Sequence, residues 1–215
     1  MAPFASITQA ISDLAAGNMV LVVDDEQREN EGDLIMAGEF VRPADISFMA
    51  KKASGLICTP VSLEIARRLS LDPMVSEPRE VHGCNFTVTV DAAAGISTGI
   101  SAEDRAVTIR KMADTGSVPS DFVRPGHVFP LVAKSGGVLV RAGHTEATCD
   151  LLRMAGLTSV GVICEVMNED GSMARLPELV AFSEAHGISL IRIRDLIEYR
   201  RSHELLIEKK AEADL

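Results

Sequence analysis

The sequence predicts one layered domain of the α+β class, a mixed, twisted β-sheet flanked by helices. Short apolar runs that are typical of strands alternate with segments of helical periodicity along the whole chain. Several predicted strands follow one another closely, as the strands of hairpins do, which favours a mixed sheet over a purely parallel one. The chain has 215 residues, of which 47% are hydrophobic and 4% aromatic, so aliphatic side chains must build its core.

Capping residues, prolines and glycines mark the ends of the predicted helices. Ser6 is a candidate N-cap for the first helix, which Gly17 ends. Pro43 opens the second helix, Gly55 ends it, and Ser62 caps the third. The remaining helices are expected from Ser101 through Met112, from Thr145 to Gly156, over Pro177–His186 and beyond Asp195.

The predicted strands are short runs rich in Val, Ile and Leu. They are Met19–Val23, Leu34–Ala37, Leu56–Thr59, Phe86–Val90, Val128–Val132, Val138–Val140, Val160–Val166 and Ser189–Ile193. Residues 71–84 and 114–127 are less regular and are expected to be long loops. Long loops in a compact domain are often functional.

Charge and composition argue against several classes of protein. A net charge of −10 without a basic stripe argues against a nucleic-acid-binding surface. No apolar run approaches the ~20 residues that cross a bilayer, so no membrane span is expected, and no signal peptide is evident. The four cysteines form no CxxC pair, which argues against a structural zinc site and fits a reducing, cytoplasmic setting.

The segment from Asp24 to Asp33 is the strongest functional signal in the chain. It holds six carboxylates and one arginine, directly after the predicted strand Met19–Val23. Carboxylates crowded at the end of a rigid strand repel one another unless a positive charge lies among them, and a hard divalent cation is the natural candidate. A solvated acidic loop is the alternative. The apolar residues on both sides place the segment between two core elements and favour the metal site.

Three further segments carry candidate chemistry. Arg124–His127 presents a histidine after Pro-Gly, which suits proton transfer near neutral pH or, equally, a structural hydrogen bond. Arg141–Ala147 joins an arginine, a glycine and a helix start, which suits phosphate, with an ordinary helix cap as the alternative. Glu165 follows an apolar run, where a carboxylate is usually paired, metal-bound or catalytic unless it faces water at a sheet edge.

Together the four segments describe a phosphosugar enzyme, in which a metal polarises a carbonyl or diol and an acid–base pair moves protons. A Rossmann fingerprint and a Walker loop are both missing, so no nucleotide cofactor is indicated. The nearest alternative is another metal-dependent phosphosugar isomerase or aldolase. The alternative of another class is a nucleotide- or RNA-binding module of related architecture, although it would need a basic groove that the −10 charge does not supply.

The four segments resemble, in this order, the motifs of the 3,4-dihydroxy-2-butanone 4-phosphate synthase family. The resemblance rests on Asp24–Asp33, Arg124–Leu131, Gly143–Ala147 and Cys164–Glu165, and it runs from the first helix to about His203. It implies a three-layer α/β fold with a mixed sheet. Residues 1–203 would then be the synthase domain, and residues 204–215 a charged C-terminal tail or a linker, since some family members continue into a GTP cyclohydrolase II domain.

The resemblance also implies an activity. The substrate would be D-ribulose 5-phosphate, and the products would be formate and L-3,4-dihydroxy-2-butanone 4-phosphate, whose carbons later enter riboflavin. Magnesium would be the cofactor, usually as two ions, with manganese able to substitute. The family forms homodimers with the site near the subunit interface.

The resemblance carries site residues over position by position. Glu29 and His144 match the metal ligands of the family. Asp33, His127 and Glu165 are the expected catalytic set, although the sequence does not assign each proton transfer. The residues expected to bind substrate are Arg28, Glu29, Asp33, Arg141, Ala142, Gly143, His144, Thr145 and Glu165.

The other residues of the acidic segment receive lesser roles. Glu31 is expected to bind the metal through water or to order the loop. Asp24, Asp25 and Glu26 are expected to be structural or steering charges. Cys58, in a predicted strand, is expected to be a core thiol rather than part of the site.

Overall fold

A mixed seven-stranded sheet forms the centre of the molecule. The computed structural model describes residues 4–77 and 83–204, so most of the expected tail at 204–215 lies outside the described residues, as does part of the loop expected at 71–84. Within the described residues, the strands are β1 (Val20–Val23), β2 (Gly32–Ala37), β3 (Cys58–Val61), β4 (Val90–Ala92), β5 (Phe122–Val132), β6 (Gly161–Glu165) and β7 (Ser189–Arg192). The helices are α1 (Ile7–Ala15), α2 (Pro43–Phe48), α3 (Leu63–Arg68), α4 (Ala102–Ala113), α5 (His144–Met154), α6 (Leu176–His186) and α7 (Ile193–His203).

The strand order confirms the predicted mixed sheet. The strands lie in the order β4-β5-β3-β6-β2-β1-β7. β1 and β7 are parallel, as are β3 and β5, whereas the pairs β1–β2, β2–β6, β3–β6 and β4–β5 are antiparallel. β1 and β2 form a hairpin, and residues 24–31 of the acidic segment are its connection.

Helices cover both faces of the sheet and give the three predicted layers. Because successive side chains of a strand point to opposite faces, Leu21 and Leu34 pack on one side with α2, α3, α4 and α6. Val20 and Ile35 pack on the other side with α1, α5 and α7. All four side chains are inaccessible to solvent, so the sheet is a rigid support for the residues at the ends of its strands.

The helix starts follow the predicted capping signals. Ser6, Ser62 and Ser101 each accept a hydrogen bond from the backbone N–H three residues later. α5 begins at His144 with Gly143 as its N-cap, so the side chain of His144 is available for another role. Within the two described stretches, no helix has the length and the apolar character needed to cross a membrane.

The predicted strand at Val138–Val140 is wrong. The chain forms a 3₁₀ turn there, at Gly137–Leu139. Gly136 and Gly137 have φ angles of 95° and 64°, which reverse the chain and exclude a strand. The turn is anchored to α5, because the carboxylate of Asp150 accepts the N–H of Val138 at 2.9 Å.

The predicted strand at Phe86–Val90 is displaced. Phe86 and Thr87 make isolated bridges, and β4 begins at Val90. Its partner β5 begins at Phe122, inside a region predicted to be a loop. The ladder between β4 and β5 is irregular over Arg124–His127, so the strand lacks the alternation that would reveal it in the sequence.

Candidate active site

Four parts of the chain meet where three neighbouring interior strands of the sheet begin or end. β1 and β6 end there, β2 begins there, and Asp33 of β2 lies opposite Glu165 of β6 in the ladder. Asp33 and Glu165 share a sheet face with Ile35 and Ile163, two residues away along their strands. α5 covers this face, and its first residue, His144, contacts the cluster.

His144 is buried, and its ring is oriented by the backbone of β1. Its Nε2 lies 3.1 Å from the carbonyl oxygen of Val22. A carbonyl oxygen only accepts, so Nε2 carries the proton of this bond. Nδ1 then faces the carboxylates, 3.6 Å from Asp33 Oδ1 and 3.8 Å from Glu29 Oε2. Histidines that bind metals are commonly fixed in this way, by donating the other ring N–H to a carbonyl.

The charges of the cluster shift the pKa values of three members. Burial raises the pKa of Asp33 to about 7, although the positive charge of His144 lowers it. Burial alone would lower the pKa of His144, but Asp33 and Glu29 outweigh it and raise that pKa to about 9. The nearby ring of His144 and the charge of Arg28 lower the pKa of Glu29 to about 2. Glu29 is therefore ionised at neutral pH, and the His144–Asp33 pair holds a proton that a cation would displace.

The arrangement fits a hard divalent cation. Ligand atoms of Asp24, Glu29 and His144 all lie within 4.8 Å of one another. Asp33 Oδ1 is buried without a hydrogen-bond partner, which is costly unless another group occupies the space beside it. Carboxylate oxygens are the ligands that Mg²⁺ and Mn²⁺ prefer. The two predicted metal ligands, Glu29 and His144, are thus brought together.

Asp24 organises the acidic loop. Its Oδ2 accepts hydrogen bonds from the N–H of Glu29 at 3.1 Å and from Arg28 at 2.9 Å, and its Oδ1 accepts the N–H of Glu31 at 2.9 Å. These bonds engage both oxygens of a side chain that is fully buried, so Asp24 orders the acidic loop, which is one of the two roles, structural or steering, that were expected for it. Arg28, predicted to bind substrate, bridges Asp24 and Glu29.

Arg141 is held beside the N-terminus of α5. Its Nη1 donates to Glu146 at 2.6 Å, and its Nη2 lies 3.0 Å from the sulfur of Cys84. Glu146 is almost inaccessible to solvent, and its other oxygen accepts the N–H of Lys134 at 2.9 Å. Gly143 leaves room for this pair, because an added Cβ would collide with Arg141 and lie 3.0 Å from Glu146. The guanidinium of Arg141 is therefore bonded to the first turn of α5, so an arginine and a helix start lie side by side.

Glu165 is half-buried beside Asp33, at the end of an interior strand rather than at the edge of the sheet. Its Oε2 accepts the N–H of Leu56 at 2.8 Å. Gly55 makes this approach possible, because an added Cβ would collide with the backbone of Glu165. Of the other predicted substrate residues, Thr145 is buried in the first turn of α5, and Ala142, two residues before that helix, is exposed.

His127 lies apart from the cluster. Its N–H donates to Asp91 Oδ1 at 2.9 Å, and its Nδ1 lies 2.6 Å from Asp91 Oδ2. Within the described residues, it makes no hydrogen bond or ion pair with Asp33, Glu29 or Glu165. β3 separates β5 from β6, so the strand of His127 is two spacings, about 10 Å, from that of Glu165. Asp91 fixes the Nδ1 proton and orients Nε2 to accept one.

Three residues that support the site were not predicted, namely Asp91, Glu146 and Arg175. Glu146 lies five residues after Arg141, within a segment already identified, so its opposite charge could have indicated the pair. Asp91 is 36 residues from its histidine. Arg175 donates to a backbone oxygen 146 residues earlier. No local pattern in the sequence signals contacts at such separations.

Comparison with known proteins identifies the family. The sequence model of 3,4-dihydroxy-2-butanone 4-phosphate synthase matches residues 8–199. A 3,4-dihydroxy-2-butanone 4-phosphate synthase from Pseudomonas aeruginosa is 55% identical over 210 residues, which cover 98% of this chain and 58% of that protein. The chain belongs to the 3,4-dihydroxy-2-butanone 4-phosphate synthase family. The resemblance that the four motifs indicated is thereby confirmed.

Solved structures of the synthase family share the fold. A synthase in complex with two magnesium ions superposes with a TM-score of 0.89 at 41% identity, over 93% of this chain and 98% of that one. The two-domain synthase RibBX from A. baumannii gives a TM-score of 0.90 at 47% identity, over 94% of this chain and 59% of that one. The chain spans about half the length of the curated relatives it matches.

Binding of a divalent cation at this site should release protons. Because the pKa of His144 is raised to about 9, its Nδ1 holds a proton at neutral pH that a metal ion must displace. The affinity for Mn²⁺ should therefore rise with pH, by up to about tenfold per unit below about pH 9. Titration calorimetry in buffers of different ionisation enthalpy measures the released protons. An affinity that does not change between about pH 6.5 and 8.5, without proton release, would contradict a site at His144.

Proposed function

We propose that this chain converts D-ribulose 5-phosphate into L-3,4-dihydroxy-2-butanone 4-phosphate and formate, a step of riboflavin biosynthesis. The observation that carries the proposal is the cluster of Glu29, Asp33 and His144. In it, Asp33 has a pKa of about 7 and a buried Oδ1 without a hydrogen-bond partner. It lies next to the ionised carboxylate of Glu29 and the oriented ring of His144. Membership in the synthase family supports this assignment of the cluster.

Glu29 and His144 would hold the cofactor. We propose that it is Mg²⁺, with two ions bound as in the related magnesium complex, and that Mn²⁺ can substitute. When bound, the metal supplies Lewis-acid polarisation of the hydroxyl and carbonyl oxygens of the sugar. Glu29 is suited to this role because its low pKa keeps it ionised and because Asp24 and Arg28 fix its position.

Asp33, Glu165 and His127 are the proposed acid–base groups. A pKa of about 7 lets Asp33 accept a proton and return it near neutral pH. Glu165 stands opposite Asp33, with one oxygen held by a backbone N–H. Removal of the C3 proton of the sugar gives an enediol, and loss of water gives a diketone. After skeletal rearrangement and addition of water, C4 leaves as formate and the remaining carbons form the second product.

Arg141 and Thr145 are proposed to hold the phosphate of the substrate. Glu146 and the Cys84 sulfur fix the plane of the Arg141 guanidinium, and the first backbone N–H groups of α5 are unsatisfied within the helix. A phosphate held there is remote from the reacting carbons, so its binding energy can orient the sugar in the transition state.

We also propose that the protein forms a homodimer around the site and lies in the cytoplasm. Large apolar side chains near the site are exposed, by 46% for Leu56, 55% for Ile100 and 67% for Val140. They adjoin the positions of Glu165, His127 and Arg141, respectively. A second copy would cover them, since exposed apolar groups that cluster commonly mark an interface. Among the described residues the four cysteines form no disulfide, as in a reducing compartment.

Glu29→Gln should abolish the release of formate from ribulose 5-phosphate in the presence of Mg²⁺. The amide carries no charge to hold the cation, so kcat should fall at least about 100-fold. A coupled formate dehydrogenase assay measures the product. Glu26→Gln is the matched control in the same loop, because Glu26 is exposed, and it should keep most of the activity.

Near wild-type formate release from Glu29→Gln would contradict the proposed role of this residue. Consumption of ribulose 5-phosphate by the wild-type protein without formate would instead indicate an isomerase or an aldolase. The two results are therefore distinguishable in one assay.

Glu146→Gln should raise KM for ribulose 5-phosphate about tenfold, with kcat changed less, because a hydrogen bond to a charged group contributes roughly 1.5–3 kcal/mol. Loss of the negative charge alone would lower KM for a phosphate, so a rise reports a misplaced Arg141. Glu39→Gln is the control, because Glu39 also accepts a backbone N–H, that of Thr158 at 2.9 Å. An unchanged KM in Glu146→Gln would exclude a positioning role for Glu146.

A further inference from the structure

Arg175 connects the acidic loop to a distant part of the chain. It is the N-cap residue of α6, and its Nη1 donates hydrogen bonds to the carbonyl oxygen of Glu29, at 3.0 Å, and to that of Asn30. Glu29 is the proposed metal ligand. Asn30 has a φ of 55°, in the left-handed region, so the chain turns sharply directly after that ligand.

Arg175 is itself held in place by its surroundings. Its backbone N–H donates to the carboxylate of Glu178, three residues later, at 3.0 Å. One turn later, the buried Leu179 packs against Gly32, where an added Cβ would lie 2.6 Å from the leucine side chain. Gly32 is the first residue of β2 after the loop. The first turn of α6 and the end of the acidic loop are therefore one packed unit.

We propose that Arg175 is a positioning residue for the metal centre. By holding the carbonyl groups of Glu29 and Asn30, it fixes the turn that aims the Glu29 carboxylate at His144. The inference rests on the proposed function, which makes Glu29 and His144 the metal ligands. The carboxylate of Asp24 holds the same turn by accepting hydrogen bonds from backbone N–H groups of the loop, among them that of Glu29 at 3.1 Å. Asp24 thus accepts hydrogen bonds from backbone N–H groups of the loop, and Arg175 donates hydrogen bonds to its carbonyl oxygens.

The charge of Arg175 and its positioning contacts predict opposite effects on metal binding when the side chain is removed. The guanidinium of Arg175 brings a positive charge to the acidic loop, next to the backbone of Glu29 and Asn30. If charge were its only contribution, removal of Arg175 would strengthen the attraction of the cluster for a cation. Loss of a contact that orients a metal ligand weakens metal binding, by about 10- to 100-fold in other proteins. The direction of the change therefore distinguishes the two roles.

The experiment is a titration of the metal-free protein with Mn²⁺, followed by the EPR signal of the free ion. It needs no substrate and no turnover. Arg175→Gln should bind Mn²⁺ about tenfold more weakly than the wild type. Arg175→Lys keeps the charge and one donor group of shorter reach, and it should recover part of the loss.

Arg42→Gln is the matched control. Arg42 is the N-cap residue of α2 and has the same capping arrangement, with Asp45 in the place that Glu178 takes in α6. Its side chain is 70% exposed and is bonded to Asp45 rather than to the acidic loop. The Mn²⁺ affinity of this variant should remain close to that of the wild type.

Mn²⁺ binding by Arg175→Gln that equals or exceeds that of the wild type would overturn the inference. If this variant does not unfold cooperatively on heating, Arg175→Lys decides alone, and binding equal to the wild type would overturn it. Formate release by the wild type together with unchanged binding in Arg175→Gln would remove the inference and leave the proposed function standing. A wild-type protein that binds no Mn²⁺ would contradict both.

Discussion

The carboxylates of Asp33 and Glu165 face each other across the ladder between β2 and β6, and Glu29 approaches them from the loop above. Like charges placed opposite each other destabilise a sheet, and burial of Asp33 adds a desolvation cost. The buried ring of His144 offsets both by carrying a positive charge among the carboxylates. The N-terminus of a helix disfavours such a charge, so the raised pKa of His144 reflects the strength of the field around it. A divalent cation that replaces the proton would relieve the same repulsion and stabilise the fold.

Several side chains at and around this centre are held by charged partners. Asp24 and Arg175 hold the loop that carries Glu29, Glu146 holds Arg141, and Asp91 holds His127. The partners act through groups that are themselves buried or bonded to the backbone. Orientation of this kind would matter for the proposed reaction, which breaks a carbon skeleton, because misplacement of a reacting group by about 1 Å can cost about 100-fold in rate. The rigid sheet under the cluster supplies the common frame.

The parts of the molecule with a local signal could be predicted from the sequence. The acidic segment and Glu165 adjoin apolar runs, so both the strands and the polar groups at their ends were visible. The turn at Gly137 was mistaken for a strand because the sequence shows its apolar residues and not the positive φ of its glycines. The irregular ladder at Arg124–His127 concealed the start of β5.

The register between distant strands could not be predicted, and it decides which functional groups meet. Asp33 and Glu165 meet because β2 pairs with β6 in one register, since a slip of one residue would turn Asp33 to the opposite face. His127 belongs to the same predicted catalytic set, but β3 lies between its strand and that of Glu165. His127 therefore does not contact the cluster within one chain, and its catalytic role belongs to the proposed function.

Pulsed EPR of bound Mn²⁺ tests most directly whether a cation lies between Glu29 and His144, because it detects a nitrogen ligand through the modulation from ¹⁴N. If Nδ1 of His144 is a ligand, the wild-type protein should show modulation from an imidazole nitrogen, and His144→Gln should lose it. Mn²⁺ bound to the wild-type protein without nitrogen modulation would contradict the metal site described above.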